Sequence, residues 1–151
     1  MADKLIIDWK QYNLIVEKLA VQIYKSGFKP DILIGIMRGG APIIDVLSRV
    51  FKLKCAYLAV ESYSGEGTED QQGELVFSRE MSSTVQEMKG NLLLCDDLSD
   101  TGVTLNKSID WLKKYPPLQG NIKEIKTAVL WKKKDSTFDP DYCAQKLNSN
   151  P

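Results

Sequence analysis

The sequence predicts an α/β fold: a doubly wound, mainly parallel sheet flanked by helices. Three observations predict it. Short apolar runs alternate with amphipathic stretches of helical length, the pattern of successive βαβ units. The apolar runs are brief and uninterrupted, which suits buried strands. Two of them end in a turn that opens a helix: Met37, Arg38, Gly39, Gly40, and then Asp100, Thr101, Gly102, Val103, Thr104.

The elements follow in order. Asp8 caps a helix in which Tyr12, Ile15, Leu19 and Ile23 recur at helical spacing, and Gly27 and Pro30 end it. Residues 31–37 form a buried first strand. Residues 41–51 read as a helix with Ile44, Leu47 and Phe51 inward, and residues 54–61 as a second strand. Residues 62–78 are rich in Gly, Ser, Glu, Asp and Gln and read as a loop. That is about as long as a structureless connection becomes before it implies function. Residues 92–95 are the third core strand, and 103–114 its helix, with Leu105, Ile109 and Leu112 on one face. Pro116, Pro117 and Gly120 break the chain before a strand at 122–131 and a last short one at 141–146. No repeat, low-complexity tract or linker interrupts this order, so residues 1–151 read as a single domain.

Composition narrows the function classes. The 151 residues are 43% hydrophobic and 26% charged, ordinary for a soluble domain. The net charge of +0 supplies no basic field for nucleic acid. The absence of His removes histidine triads and most zinc sites. Cys55, Cys95 and Cys143 are odd in number and unpaired in spacing. They read as thiols of a reducing, cytoplasmic protein. The N-terminus lacks a signal-peptide core, and no apolar run approaches a membrane span.

The richest stretch follows the third strand. Asp96 and Asp97 lie at its carboxyl end, where ligands bind in open α/β sheets. The next turn opens a helix, whose free amides and dipole favour a phosphate. Thr101 and Thr104 add hydroxyl donors. Asp96 and Asp97 would repel phosphate, so they face sugar hydroxyls or a metal ion. A solvated acidic loop that merely caps the helix would explain one carboxylate. It does not explain a doublet, a third Asp and two threonines around one glycine. After the first strand, Gly39 and Gly40 let the backbone approach an anion and Arg38 adds a charged fork. By itself that turn is equally a tight strand–helix connection.

The segment Asp96, Asp97, Leu98, Ser99, Asp100, Thr101, Gly102, Val103, Thr104 resembles the phosphoribosyl pyrophosphate (PRPP) motif of type I phosphoribosyltransferases. Its Asp-Thr-Gly form resembles the 6-oxopurine branch. The likeness runs from Leu5, Ile6, Ile7, Asp8, Trp9 to Asp139, Pro140, Asp141, Tyr142. It is closest to short xanthine–guanine and archaeal hypoxanthine-type enzymes. It implies transfer of 5-phosphoribosyl from PRPP to hypoxanthine, guanine or xanthine, with Mg²⁺ as cofactor and pyrophosphate as leaving group. The whole segment 96–104 then binds PRPP. Asp96 and Asp97 hold the ribose hydroxyls, Asp97 touches the metal directly or through water, and residues 101–104 fix the 5′-phosphate. Asp100 is the catalytic residue and faces the base at N7. Arg38, Gly39 and Gly40 receive pyrophosphate, after a Met37–Arg38 peptide expected to be cis. Lys132 donates to the purine 6-oxo group, with Lys133 as second choice; a plain solvated charge run is the bland reading. Ser62 and Tyr63 begin a mobile loop that closes over the ribose. The resemblance also implies a homodimer or homotetramer, with small-molecule partners and neither nucleic acid nor membrane.

Two departures stand out. Gly73 occupies the place where short bacterial relatives carry a loop Arg, with Arg79 nearby as a substitute. No aromatic follows Tyr142, whereas relatives continue into a hood segment that stacks on the purine. Either the native chain is longer or the base is held differently. Two rival classes remain. One is a noncatalytic regulator of the same fold that senses PRPP or nucleotide. The other is a phospho-acceptor receiver domain, although receivers place their acidic pair after the first strand.

Overall fold

A computed structural model describes residues 5–63 and 74–147. Helix α1, Trp9–Ser26, starts at Asp8. The Gln11 amide donates to the Asp8 carboxylate at 2.8 Å, and the Asp8 amide donates to the Gln11 side chain at 3.0 Å. This reciprocal box satisfies two amides that a helix start otherwise leaves bare. Gly27, with φ 80, closes the helix in the left-handed region that suits glycine. The chain continues through β1 (Ile32–Met37), α2 (Ala41–Phe51), β2 (Lys54–Tyr63), β3 (Glu74–Phe77) and β4 (Ser82–Ser83). It then forms β5 (Gly90–Ser99), α3 (Val103–Lys114), a short 3-10 turn (Pro116–Leu118), β6 (Ile122–Lys132) and β7 (Tyr142–Lys146).

The strands make one sheet in the order β3-β2-β1-β5-β6-β7, with β4 also on β2. Every pair from β2 to β7 is parallel, while β3 and β4 run antiparallel to β2. This is the doubly wound, mainly parallel sheet that the sequence predicts. Side chains alternate between its faces. Leu33, Leu93, Cys95, Ala128 and Leu130 pack under α1 and α2. Ile32, Ile34, Ile36, Leu92, Leu94 and Val129 pack with Leu105 and Leu112 of α3. A Cβ at Gly35 would stand 2.7 Å from Ile44 Cδ1, so glycine there lets α2 sit close on the sheet.

Two sequence expectations change. Strand β2 runs on to Tyr63, so Ser62 and Tyr63 are strand residues rather than the start of a loop. They pair with Leu75 and Glu74 of β3, inside the stretch expected to be structureless. The polar composition hid a short edge strand, which Phe77 anchors by stacking on Trp111 of α3 at 6.4 Å. Strand β5 likewise does not stop at Cys95. It carries Asp96, Leu98 and Ser99 into register with Val129, Trp131 and Lys132 of β6. Backbone pairing needs no apolar side chain, so the apolar run understated the strand's length. Gly73 and residues 148–151 lie outside the described residues.

Candidate active site

The acidic pair projects from the carboxyl end of β5. Asp97 continues the face of Leu93 and Cys95, while Asp96 continues that of Leu92 and Leu94. Both are half-buried. The Asp97 amide donates to Asp96 Oδ1 at 2.8 Å, which fixes the Asp96 carboxylate across its own backbone. Burial first, and then the Asp97 charge, push the Asp96 carboxyl up to about 8. Tyr12 on α1 is raised as well, by burial and then by Asp97. Two crowded carboxylates favour whatever brings hydroxyl donors or positive charge to this edge.

The β1–α2 turn sits directly against this pair. A Cβ at Gly39 would overlap the Asp97 carboxylate, and one at Gly40 would overlap the Cys95 carbonyl and stand 2.8 Å from Ile36 N. The glycines are therefore required by the approach of one turn to the next strand. The Met37–Arg38 peptide is cis, as expected. Arg38 is exposed at the same edge. Gly40 caps α2, and its amide donates to Ile36 O at 2.7 Å while that of Ala41 donates to Arg38 O at 3.2 Å.

The loop after β5 is shorter than the sequence suggested. Only Asp100, Thr101 and Gly102 separate β5 from α3. Gly102 opens the helix with φ 95 and no side-chain cap. The Val103 amide donates to Thr101 Oγ1 at 3.3 Å. The remaining first-turn amides have no carbonyl partner within the helix, the arrangement that suits an anion. Thr101 is exposed and Thr104 half-buried beside it.

The turn between β6 and β7 entered the sequence reading only through Lys132 and Lys133, and its ties to the neighbouring loop were not legible. Its backbone is tied to the β5–α3 loop. The Lys133 amide donates to Ser99 O at 3.0 Å. Ser99 and Ser136 share a buried hydroxyl contact at 2.8 Å. The Thr137 amide and hydroxyl both donate to Thr101 O, at 3.2 and 3.0 Å. Phe138 lies against Gly102, where its backbone N would be 2.9 Å from any Cβ. Serines and threonines are ordinary turn residues, so nothing in their spacing announced these long-range ties.

The turn also separates the two lysines. Lys132 pairs with Asp139, and that contact holds the Asp139 carboxyl below its usual range. Lys133 instead pairs with Asp100 at 3.2 Å. Lys132, the first choice from sequence, is thus engaged away from Asp100, and the second choice faces it. Beside Lys133 opens a cavity of about 600 Å³. Its strand-end lining is Leu98, Trp131 and Leu147, and residues 5–7 complete it. Trp131 is oriented by a 2.9 Å hydrogen bond from its indole N–H to Gln145 and by Tyr12, whose ring lies 6.3 Å away.

Residues 6–151 match a family model described as the phosphoribosyl transferase domain. The chain is similar to the purine phosphoribosyltransferase of Pyrococcus horikoshii, with 28% identity and a TM-score of 0.74, over 96% of this chain and 88% of that one. Its fold is also similar to that of a xanthine-guanine-hypoxanthine phosphoribosyltransferase from Helicobacter pylori, at 20% identity and TM-score 0.75, over 95% and 86% of the chains. A hypoxanthine-guanine phosphoribosyltransferase from Bacillus anthracis gives 19% identity and TM-score 0.72, over 97% and 85%. No curated protein sequence matches the chain. Among the described residues, no helix is long and apolar enough to cross a membrane.

Proposed function

As the chain belongs to the phosphoribosyl transferase domain family, we propose that it transfers the 5-phosphoribosyl group of PRPP to a 6-oxopurine. The observation that carries this reading is the Asp100–Lys133 pair at the rim of an apolar cavity, beside a phosphate-type loop. A 6-oxopurine presents a carbonyl oxygen near an imidazole nitrogen. Lys133 is a donor for the first and Asp100 an acceptor for a proton on the second. Leu98 and Trp131 supply apolar surface for the ring.

The remaining roles follow from charge. Asp96 and Asp97 accept hydrogen bonds from the ribose hydroxyls. The first-turn amides of α3, with Thr101 and Thr104, hold the 5′-phosphate. Arg38 and the Gly39 amide receive the pyrophosphate, with Gly40 shaping the turn through its own amide bond to Ile36 O. In the reaction a purine nitrogen bonds to the anomeric carbon as the bond to pyrophosphate breaks. Asp100 takes the proton that the base releases. Most of the rate enhancement is then positioning and electrostatics rather than covalent chemistry.

Mg²⁺ fits this donor set. Among the described residues, no three acidic or thiol groups cluster into a closed cage. Mg²⁺ does not need one, since it keeps several waters and takes one or two carboxylates plus substrate phosphates. Asp97, with Asp96 beside it, would hold it. When bound, the ion offsets the negative charge that grows on the departing pyrophosphate.

The test is release of pyrophosphate from PRPP and Mg²⁺ with hypoxanthine, guanine, xanthine and adenine. Turnover is expected with one or more of the first three and not with adenine. Tight PRPP binding without turnover on any base would instead favour a noncatalytic PRPP sensor.

A further inference from the structure

Residues 5–7 pose a question that the site roles above do not answer. Ile6 is 86% exposed and Leu5 50%, although both are large and apolar. They are not scattered on open surface, because Leu5, Ile6 and Ile7 line the cavity that holds Lys133, Leu98 and Trp131. The rest of the lining comes from the ends of β5 and β6, Lys133 just after β6, and Leu147 just after β7. This segment comes from the chain just before the Asp8 cap of α1. The cavity's volume of about 600 Å³ lies within the range of small-molecule sites, roughly 300–1,000 Å³. Its one charged lining residue, Lys133, sits with Asp100 as a donor–acceptor pair. A cavity lined by six apolar residues and one lysine suits a planar heterocycle that carries polar groups along one edge.

We propose that the amino-terminal residues Leu5, Ile6 and Ile7 form one wall of the purine pocket and pack on the face of the base. The inference rests on the phosphoribosyltransferase reading and adds to it which part of the chain grips the purine. Such a wall needs no ring. Aliphatic side chains on a heterocycle face remove apolar area from water in proportion to the area covered. The two most exposed of the three residues are then the ones that gain most when a base is bound.

The experiment compares binding of guanosine monophosphate with ribose 5-phosphate, its base-free part, by calorimetry on the full chain. The variants are Ile6→Ser, Leu5→Ser with Ile6→Ser, and Ile6→Val as the conservative rescue. Val21→Ser is the control, since Val21 is 50% exposed on α1 and outside the cavity lining. Ile6→Ser is expected to weaken the nucleotide about five- to tenfold, and the double variant further. Ribose 5-phosphate should bind as before. Val21→Ser should match the parent for both ligands, and Ile6→Val should bind the nucleotide less tightly than the parent but more tightly than Ile6→Ser, with ribose 5-phosphate unchanged. Equal weakening of both ligands, or none of either, would overturn the wall. A parent that binds ribose 5-phosphate but gains nothing from the base would overturn the purine pocket while leaving the sugar-phosphate site. A parent that binds neither ligand would remove the phosphoribosyltransferase reading itself.

Discussion

The loop after β5 and the turn after β6 lie side by side at one edge of the sheet, yet they are built differently. The first, with the strand end before it and the helix start after it, concentrates its chemistry in consecutive residues, from Asp96 to Thr104. The second holds one proposed ligand-facing group, Lys133, among lysines that look alike in sequence. What distinguishes Lys133 is distant from its own turn: the Ser99 carbonyl at the end of β5, which accepts from its amide, and the Asp100 carboxylate just beyond, which pairs with its ammonium. A local cluster can be read from spacing. A group selected by a neighbouring strand can be read only once register is known.

The comparison can be broken most severely at the acidic pair. Asp96→Asn with Asp97→Asn should weaken PRPP by about 10²- to 10³-fold, because one charged hydrogen bond, roughly 1.5–3 kcal/mol, and one neutral one, about 1 kcal/mol, are lost together. Titration calorimetry measures it, with thermal melting to show that the fold survives. Unchanged affinity would take the ribose away from this pair.

Next comes Asp100, where loop and turn meet. Asp100→Ala should cut single-turnover rate by ~10²-fold or more, the usual scale for a general acid–base group, while PRPP binding is retained. Equal losses in affinity and rate would move Asp100 into the sugar-phosphate site.

The lysines sharpen the comparison. Lys133→Met should raise KM for the base by about tenfold, as for the loss of one charged hydrogen bond, with KM for PRPP unchanged. Lys132→Met should change either constant less than about threefold, because its partner is the exposed Asp139. The reverse ranking in steady-state kinetics would return the role to Lys132.

The smallest effect concerns stability in metal-free protein. The Asp96 carboxyl is raised to about 8 by burial and then by the Asp97 charge. An unfolded Asp titrates near ~3.9. Between those values the fold keeps a proton that the unfolded chain has lost, so Asp96 lowers stability as pH rises through that window. Asp96→Asn should therefore leave Tm nearly unchanged at pH 4 and raise it by about 3 °C at pH 8. A Tm difference independent of pH would show that the carboxyl is not raised.

Much of the fold was legible because its signals are local. The Asp8 box, the Gly27 stop and the apolar runs under α1 and α3 all depend on neighbours within a few residues. The strand limits were not, because Ser62, Tyr63 and Asp96 pair through backbone that composition does not report. The site divides in the same way. Asp100 and the Gly102 turn stand out by type and spacing, and the Gly39–Asp97 contact explains a glycine that the sequence assigned only to anion approach. Trp131, Leu147 and residues 5–7 escaped notice as site residues because an apolar lining looks like core until a cavity is found beside it.

The ties between turn and loop have a metrical consequence. Lys133 is fixed to Ser99, and Thr137 to Thr101, through backbone atoms. Whatever phosphate the α3 amides hold, and whatever ring Lys133 meets, are therefore spaced by one ruler made of protein. Such a ruler selects by length as well as by chemistry. A ligand with the right phosphate and the right ring but one extra bond between them would fit either end and fail to span both.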